Sequence, residues 1–215
     1  MKDRHPDDEL DDHVAGIVGR IQADYLSDDR TRFAKSSALL ARLRRAVGRE
    51  PGDDPAVWAP IFGGWPASLP VYGDAPTPAE RAAFTAVTLY AVHQQSKRRD
   101  GMHKSGRSLG WAVGELSRRS GTGDNVRRRF DMIATAQSID EIVYHARGLV
   151  TQLRGADPGI PLDYGLLASH LRKLQYPASA TTVRLRWGRD YYQTGRTPAK
   201  VDSTAIPLEI QETAS

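Results

Sequence analysis

The chain has 215 residues, a formal net charge of +4 and a 40% hydrophobic fraction, enough for one ordinary domain or two small lobes but not for a large multidomain machine. It contains no cysteine, which excludes disulfides, thiolate metal sites, iron–sulfur clusters and cysteine nucleophiles. The first twelve residues carry six acids where a secretory signal would need an apolar run, and no stretch reaches the length of a membrane span, so a cytoplasmic protein without membrane contact is expected.

Helix signals follow one another along the chain and strand signals are nearly absent. Ser27 precedes a periodic run from Asp28 to Ala46 that ends at Gly48, and Asp54-Pro55 opens a short helix through Trp58 and Ile61. Trp65 to Pro78, rich in proline, reads as a loop whose apolar members Trp65, Leu69, Val71 and Tyr72 pack down onto the body. Ala79 to about Ser96 is apolar on nearly every side and is expected as the central helix. A basic loop follows from Lys97 to Arg107. Ser108 then caps a helix from Leu109 to Arg119, Gly121 and Gly123 form a turn, and Asn125 to Ala136 is helical. Ser138 and Glu141 have capping-box spacing ahead of the stripe Ile139, Ile142, Val143, Ala146, Leu149, Val150 and Leu153. Asp163 caps a helix through Leu174 that Pro177 closes. A last helix, from about Ala180 to Tyr192, has one apolar face at Val183, Trp187 and Tyr191 and a second at Leu185 and Tyr192, so it either sits between layers or offers a face to another subunit.

The expected fold is therefore all-α, a bundle of roughly eight to nine helices. Residues 1–11 read as an acidic extension, 12–194 as the helical domain with room for lobes at 12–100 and 108–194, and 195–215 as a flexible tail.

The charge is unevenly placed. Lys97 to Arg189 holds 17 Lys or Arg against 8 Asp or Glu, and 24 of the chain's 30 basic residues are arginine, the cation that grips phosphate with a planar fork. On a helical wheel Arg147 and Arg154 share one flank of the Ile139–Leu153 stripe. Arg127 and Arg128 face outward from a core-facing set of Val126, Phe130 and Ile133, with Arg129 at the boundary. Arg118, Arg119, Arg172, Lys173, Arg184 and Arg186 also fall off the apolar stripes, many without an acid four residues away, which points to phosphate contact. No HExxH, paired-acid metal motif or glycine-rich phosphate loop is present, and His93, His103, His145 and His170 stand singly, so neither enzyme activity nor a cofactor is expected. The aromatics near the basic segments, Trp111, Tyr144, Trp187, Tyr191 and Tyr192, read as packing residues in preference to base-stacking ones. Two readings remain at this level: a backbone binder within a ribonucleoprotein, and a helix-turn-helix regulator with Arg127 to Arg129 opening its recognition helix.

Ala41-Arg42-Leu43-Arg44-Arg45, Ser108-Leu109-Gly110, Val126-Arg127-Arg128-Arg129-Phe130, His145-Ala146-Arg147-Gly148-Leu149-Val150 and Pro161-Leu162-Asp163-Tyr164 stand in an order and spacing that resembles the CasB family. CasB is the small subunit of the type I-E CRISPR effector Cascade. The resemblance covers Ala41 to about Tyr192. It implies an all-α, non-catalytic subunit, typically present as two copies among the other Cascade subunits, that contacts guide RNA and both target and non-target DNA strands and stabilises the R-loop. It maps the family's nucleic-acid arginines onto Arg44, Arg45, Arg128, Arg129 and Arg147. Charge placement adds Arg107, Arg118, Arg172 and Arg186.

Overall fold

A computed structural model describes residues 5–120, 123–136 and 138–194. The described residues form nine α-helices and no sheet, an all-α architecture as the sequence predicts. The expected tail, 195–215, and the first two residues of the Gly121–Gly123 turn lie outside the described residues.

Helix α1 runs from Pro6 to Leu26. Its acidic start is the reason it begins there: Asp7, Asp8 and Glu9 fill the first turn, where the helix dipole favours negative charge, and the Asp7 amide donates to His5 Nδ1 at 3.2 Å. Behind them Leu10, Val14, Ile17, Val18, Ile21 and Tyr25 recur at helical spacing and are buried. The expected boundary at residue 11 thus falls inside a core helix, because six acids in twelve residues mask the single apolar stripe beneath them.

Ser27 ends α1, and Asp29 rather than Ser27 caps α2 (Arg30–Arg45), its carboxylate accepting from the Thr31 and Arg32 amides. A 3₁₀ turn at Pro55–Val57, capped by Asp54, leads into α3 (Trp58–Phe62). In the loop that follows, Leu69 is buried and its carbonyl accepts from the Trp65 indole, whereas Val71 and Tyr72 stand exposed and do not pack down as expected.

Helix α4 (Pro78–His93) has a reciprocal capping box of Thr77 and Glu80 and is buried on almost every side. It packs against α1, α2, α7 and α8 and is the centre of the bundle. It ends at His93, short of Ser96, because the buried Gln94 side chain clasps the next segment. Its amide nitrogen donates to the carbonyls of Lys97 and Asp100 at 2.6 and 2.9 Å, and its oxygen accepts from the Met102 amide at 2.8 Å. The basic loop is therefore fastened to the core.

The second half contains α5 (Leu109–Arg119), α6 (Gly123–Thr135), α7 (Ile139–Gly155), α8 (Tyr164–Leu174) and α9 (Pro177–Gln193), with Ser108, Ser138 and Asp163 capping α5, α7 and α8. Pro177 opens α9 instead of merely closing α8, since proline at the first helical position gives up no hydrogen bond. Gly110 and Gly114 let α5 approach α9 closely: a Cβ on either would fall 2.1 or 2.5 Å from the carbonyl oxygens of Trp187 and Tyr191. The buried residues of both halves belong to one cluster, joined where α1 and α4 pack on α8 and α4 packs on α7. The halves 12–100 and 108–194 share that core instead of forming separate lobes. Among the described residues no helix is long and apolar enough to cross a membrane.

Candidate nucleic-acid interface

Helix α7 turns Ile142, Val143, Ala146, Leu149, Val150 and Leu153 inward. The opposite stripe, Tyr144, Gly148, Thr151, Gln152 and Gly155, follows the same three-and-four spacing and lines surface cavities on successive turns. One cavity, of 420 Å³, lies where α7 meets α2 and the end of α4 and is lined by Arg44, Arg45, Gln95, Arg147, Thr151 and Arg154. A second, of 750 Å³, lies where α7 meets α6 and is lined by Arg129, Met132, Tyr144, His145, Arg147 and Thr151, among others. Arg147 and Thr151 belong to both, so the two form one groove. Among the described residues no carboxylate lines either part.

The groove concentrates positive charge without neutralising it. Among the described residues Arg44, Arg45, Arg129 and Arg147 have no acid within ion-pair distance, and Arg154 donates only to neutral acceptors, the Val92 carbonyl at 3.2 Å and Gln95 Oε1 at 2.8 Å. Burial, followed by the neighbouring Arg154 and Arg45 charges, pushes the Arg44 guanidinium below its ordinary pKa, with Tyr25 opposing. A bound anion would relieve that repulsion. The field also reaches the core: burial, then Arg154 and Lys97, push His93 down to about 3, so it stays neutral at physiological pH.

Arg129 is seated by a gap in the neighbouring helix. A Cβ on Gly148 would lie 1.9 Å from Arg129 Nη1 and 2.9 Å from its Cζ, so the guanidinium rests on α7 only because residue 148 has no side chain. A glycine inside a helix costs about 1 kcal/mol relative to alanine. Here it places a cation in the groove.

The other expected arginines divide differently. Arg128 is exposed on α6, has no acid partner among the described residues, and lines neither part of the groove. Arg107 is half-buried, with its guanidinium 4.5 Å from the Trp111 ring centroid, and burial lowers its pKa. Arg118, Arg172 and Arg186 each have an acid beside them. Arg118 pairs with Glu115, which also holds Arg119 at 2.7 Å. Arg172 pairs with the buried Asp7 of α1, helped by Lys173 at 3.3 Å, and Arg186 lies 4.0 Å from Asp190. Arg127 is likewise held, by Asp131 and the Tyr192 hydroxyl, with its guanidinium near the rings of Tyr191 and Tyr192. Acids at i−3, i−4 and i+4 supply four of these contacts, and α1 supplies the partner of Arg172 and Lys173.

Helical phase places Arg154 beside Arg147, but only the tertiary structure brings both to Arg44 and Arg45. Gly148, an isolated glycine in a strongly periodic helix, is the sequence signal for the Arg129 seat. Of the aromatics, Trp187 is buried and Trp111 and Tyr191 are half-buried, as packing residues should be, while Tyr144 and Tyr192 are exposed. His93 and His170 are packed core residues bonded to the Tyr164 hydroxyl and the Trp187 indole at 2.9 and 2.8 Å.

The model of the family described as CRISPR-associated protein Cse2 matches residues 39–192, from the middle of α2 to the end of α9. The chain belongs to the Cse2 family. A solved relative, CasB from Thermobifida fusca, is 34% identical, with 86% of this chain and 98% of that one covered and a TM-score of 0.72. A chain described as a CRISPR RNA-guided surveillance complex is 23% identical, with 86% and 94% covered and a TM-score of 0.63, and shares the fold. No curated protein matches the sequence. The resemblance to CasB read from five short segments is thus borne out over the span expected. Every groove arginine of this Cse2-family chain lies inside the matched region, and α1, with the Asp7 that binds Arg172, lies ahead of it.

Proposed function

We propose that this Cse2-family chain is a non-catalytic small subunit of a CRISPR Cascade complex and that its arginine groove holds nucleic-acid backbone in the R-loop. The observation that carries the reading is the set of guanidiniums of Arg44, Arg45, Arg129, Arg147 and Arg154 along one groove that no carboxylate of the described residues lines. Such a surface binds polyanions irrespective of sequence, which suits a complex in which base pairing with guide RNA reads the target and protein stabilises the opened DNA strands. Other Cascade subunits, and a second copy of this chain, are its expected protein partners. The exposed second face of α9, where Leu185 and Tyr192 are 52% and 65% exposed, is available for such contacts.

A helix-turn-helix regulator is the weaker reading. The exposed face of α6 alternates Arg128 with Asp124 and Asp131, Arg127 is tied up by Asp131 and Tyr192, and Arg129 leans onto α7. That leaves too little free positive charge along α6 for a major-groove helix.

The test is R-loop occupancy in the assembled complex. Arg129→Ala with Arg147→Ala should lower occupancy of target duplex about tenfold at constant salt, and flatten its salt dependence, with assembly intact. Unchanged occupancy would remove the groove from the function. A preference of the isolated chain for one duplex sequence over its scrambled version would favour the regulator.

A further inference from the structure

Within the groove one side chain has no structural task. Tyr144 is 76% exposed, and among the described residues its ring meets only that of His145, edge-on at 5.1 Å and 77°. A lone exposed aromatic needs no explanation, but Tyr144 is not alone. It shares the 750 Å³ cavity with Met132, itself 37% exposed on α6, and with Arg129 and Arg147. An apolar surface flanked by uncompensated guanidiniums fits a ligand with phosphates and a flat aromatic face in alternation. Duplex DNA hides its base faces inside the stack, and single strands offer them.

Resting on the reading of the groove as a backbone site, we propose that Tyr144, with Met132 beside it, stacks one unpaired base of a single strand whose phosphates run along Arg129 and Arg147. The groove thereby favours single-stranded over duplex nucleic acid. The Tyr144 and His145 rings stand nearly perpendicular, and the high exposure of the tyrosine leaves ring surface available to a base.

The experiment uses the full chain at low salt with three fluorescent probes: an oligothymidine strand, a strand of equal length made abasic throughout, and a duplex. Tyr144→Ala should weaken oligothymidine binding about tenfold, the low end of what one stacked base contributes. It should leave binding of the abasic strand and the melting temperature unchanged, and Tyr144→Phe should bind as the parent does. Equal oligothymidine binding by parent and Tyr144→Ala would overturn the proposal. So would an equal loss on the abasic strand, or displacement of oligothymidine by poly-glutamate as readily as by unlabelled oligothymidine, which would indicate an acidic protein partner. Arg147→Ala separates the two levels. If it weakens both single strands while Tyr144→Ala weakens neither, the backbone groove stands and the stacking site fails. If Arg147→Ala changes nothing, both fail together.

Discussion

Arg172 on α8 and Arg147 on α7 are the same side chain in two electrostatic settings. Along the seam of α1 and α8, Arg172 and Lys173 converge on Asp7, whose side chain is only 5% exposed. In the groove beside α7, Arg147 and its neighbours line one surface, with no acid among the described residues that line it. A buried carboxylate must be paired to be tolerated, so the seam arginine belongs to folding. Guanidiniums crowded together repel one another, and a charge from outside would relieve that repulsion. Residue type is identical in the two regions, and the partner decides the role.

Removing a cation from each region should therefore have opposite consequences. Arg172→Ala leaves Asp7 buried with Lys173 at 3.3 Å and His5 Nδ1 at 3.1 Å and should destabilise the fold by about 2 kcal/mol, below the usual cost of orphaning a buried charge because these partners stay. Chemical denaturation reads that loss, and oligonucleotide affinity per folded molecule should not change. A loss of affinity at full stability would break the comparison and return Arg172 to the binding surface.

The seam also carries a pH signature. Burial, then the charges of Asp163, Asp12 and Asp8, raise Asp11 on α1 to about 6. Because the folded carboxyl takes up its proton more readily than the unfolded one, this group favours the fold at low pH. The advantage disappears as pH rises from about 4 through 6. Asp11→Asn should accordingly raise stability at pH 8 by about 1 kcal/mol, a figure reduced for the partial exposure of the carboxyl, and change little at pH 4. Denaturant midpoints across that range would test it, and nucleic-acid binding should be indifferent to the change.

The smallest effect sharpens the other side. Gly148→Ala should leave stability unchanged or improve it by up to about 1 kcal/mol through helix propensity, because only the far end of a flexible arginine has to move. It should nonetheless weaken single-strand binding by about 0.5 kcal/mol as Arg129 is lifted off α7, which is within the usual range for a surface charge contact. Parallel melting and titration would separate the two quantities, and a destabilised variant with normal binding would deny Gly148 its seating role.

How much of this was legible in the sequence follows the range of the forces involved. Local signals read correctly: Asp54, Ser108, Ser138 and Asp163 cap the helices they were expected to cap, and the stripe of α7 is the buried stripe. The likeness to CasB also read correctly, since the family model matches residues 39–192. What failed was long-range or masked by composition. Asp7 and Arg172 are 165 residues apart, and no periodicity within α8 shows that its arginine is already engaged. The acids of α1 looked like a solvated extension because a single helical stripe of Leu10, Val14 and Ile17 is faint among them. The groove itself needs α2, α4, α6 and α7 to meet, so wheel positions identified Arg147 and Arg154 without revealing Arg44 and Arg45 opposite.

The Gln94 clasp has a consequence for how the molecule can be cut. Five of the eleven residues from Lys97 to Arg107 are lysine or arginine, an inviting target for a trypsin-like protease, which needs its substrate drawn out into an extended strand. With Gln94 holding Lys97, Asp100 and Met102 to the end of the central helix, that strand becomes available only when the core itself opens. Nicking at this loop would then clock the unfolding of the whole molecule rather than the fraying of one surface segment.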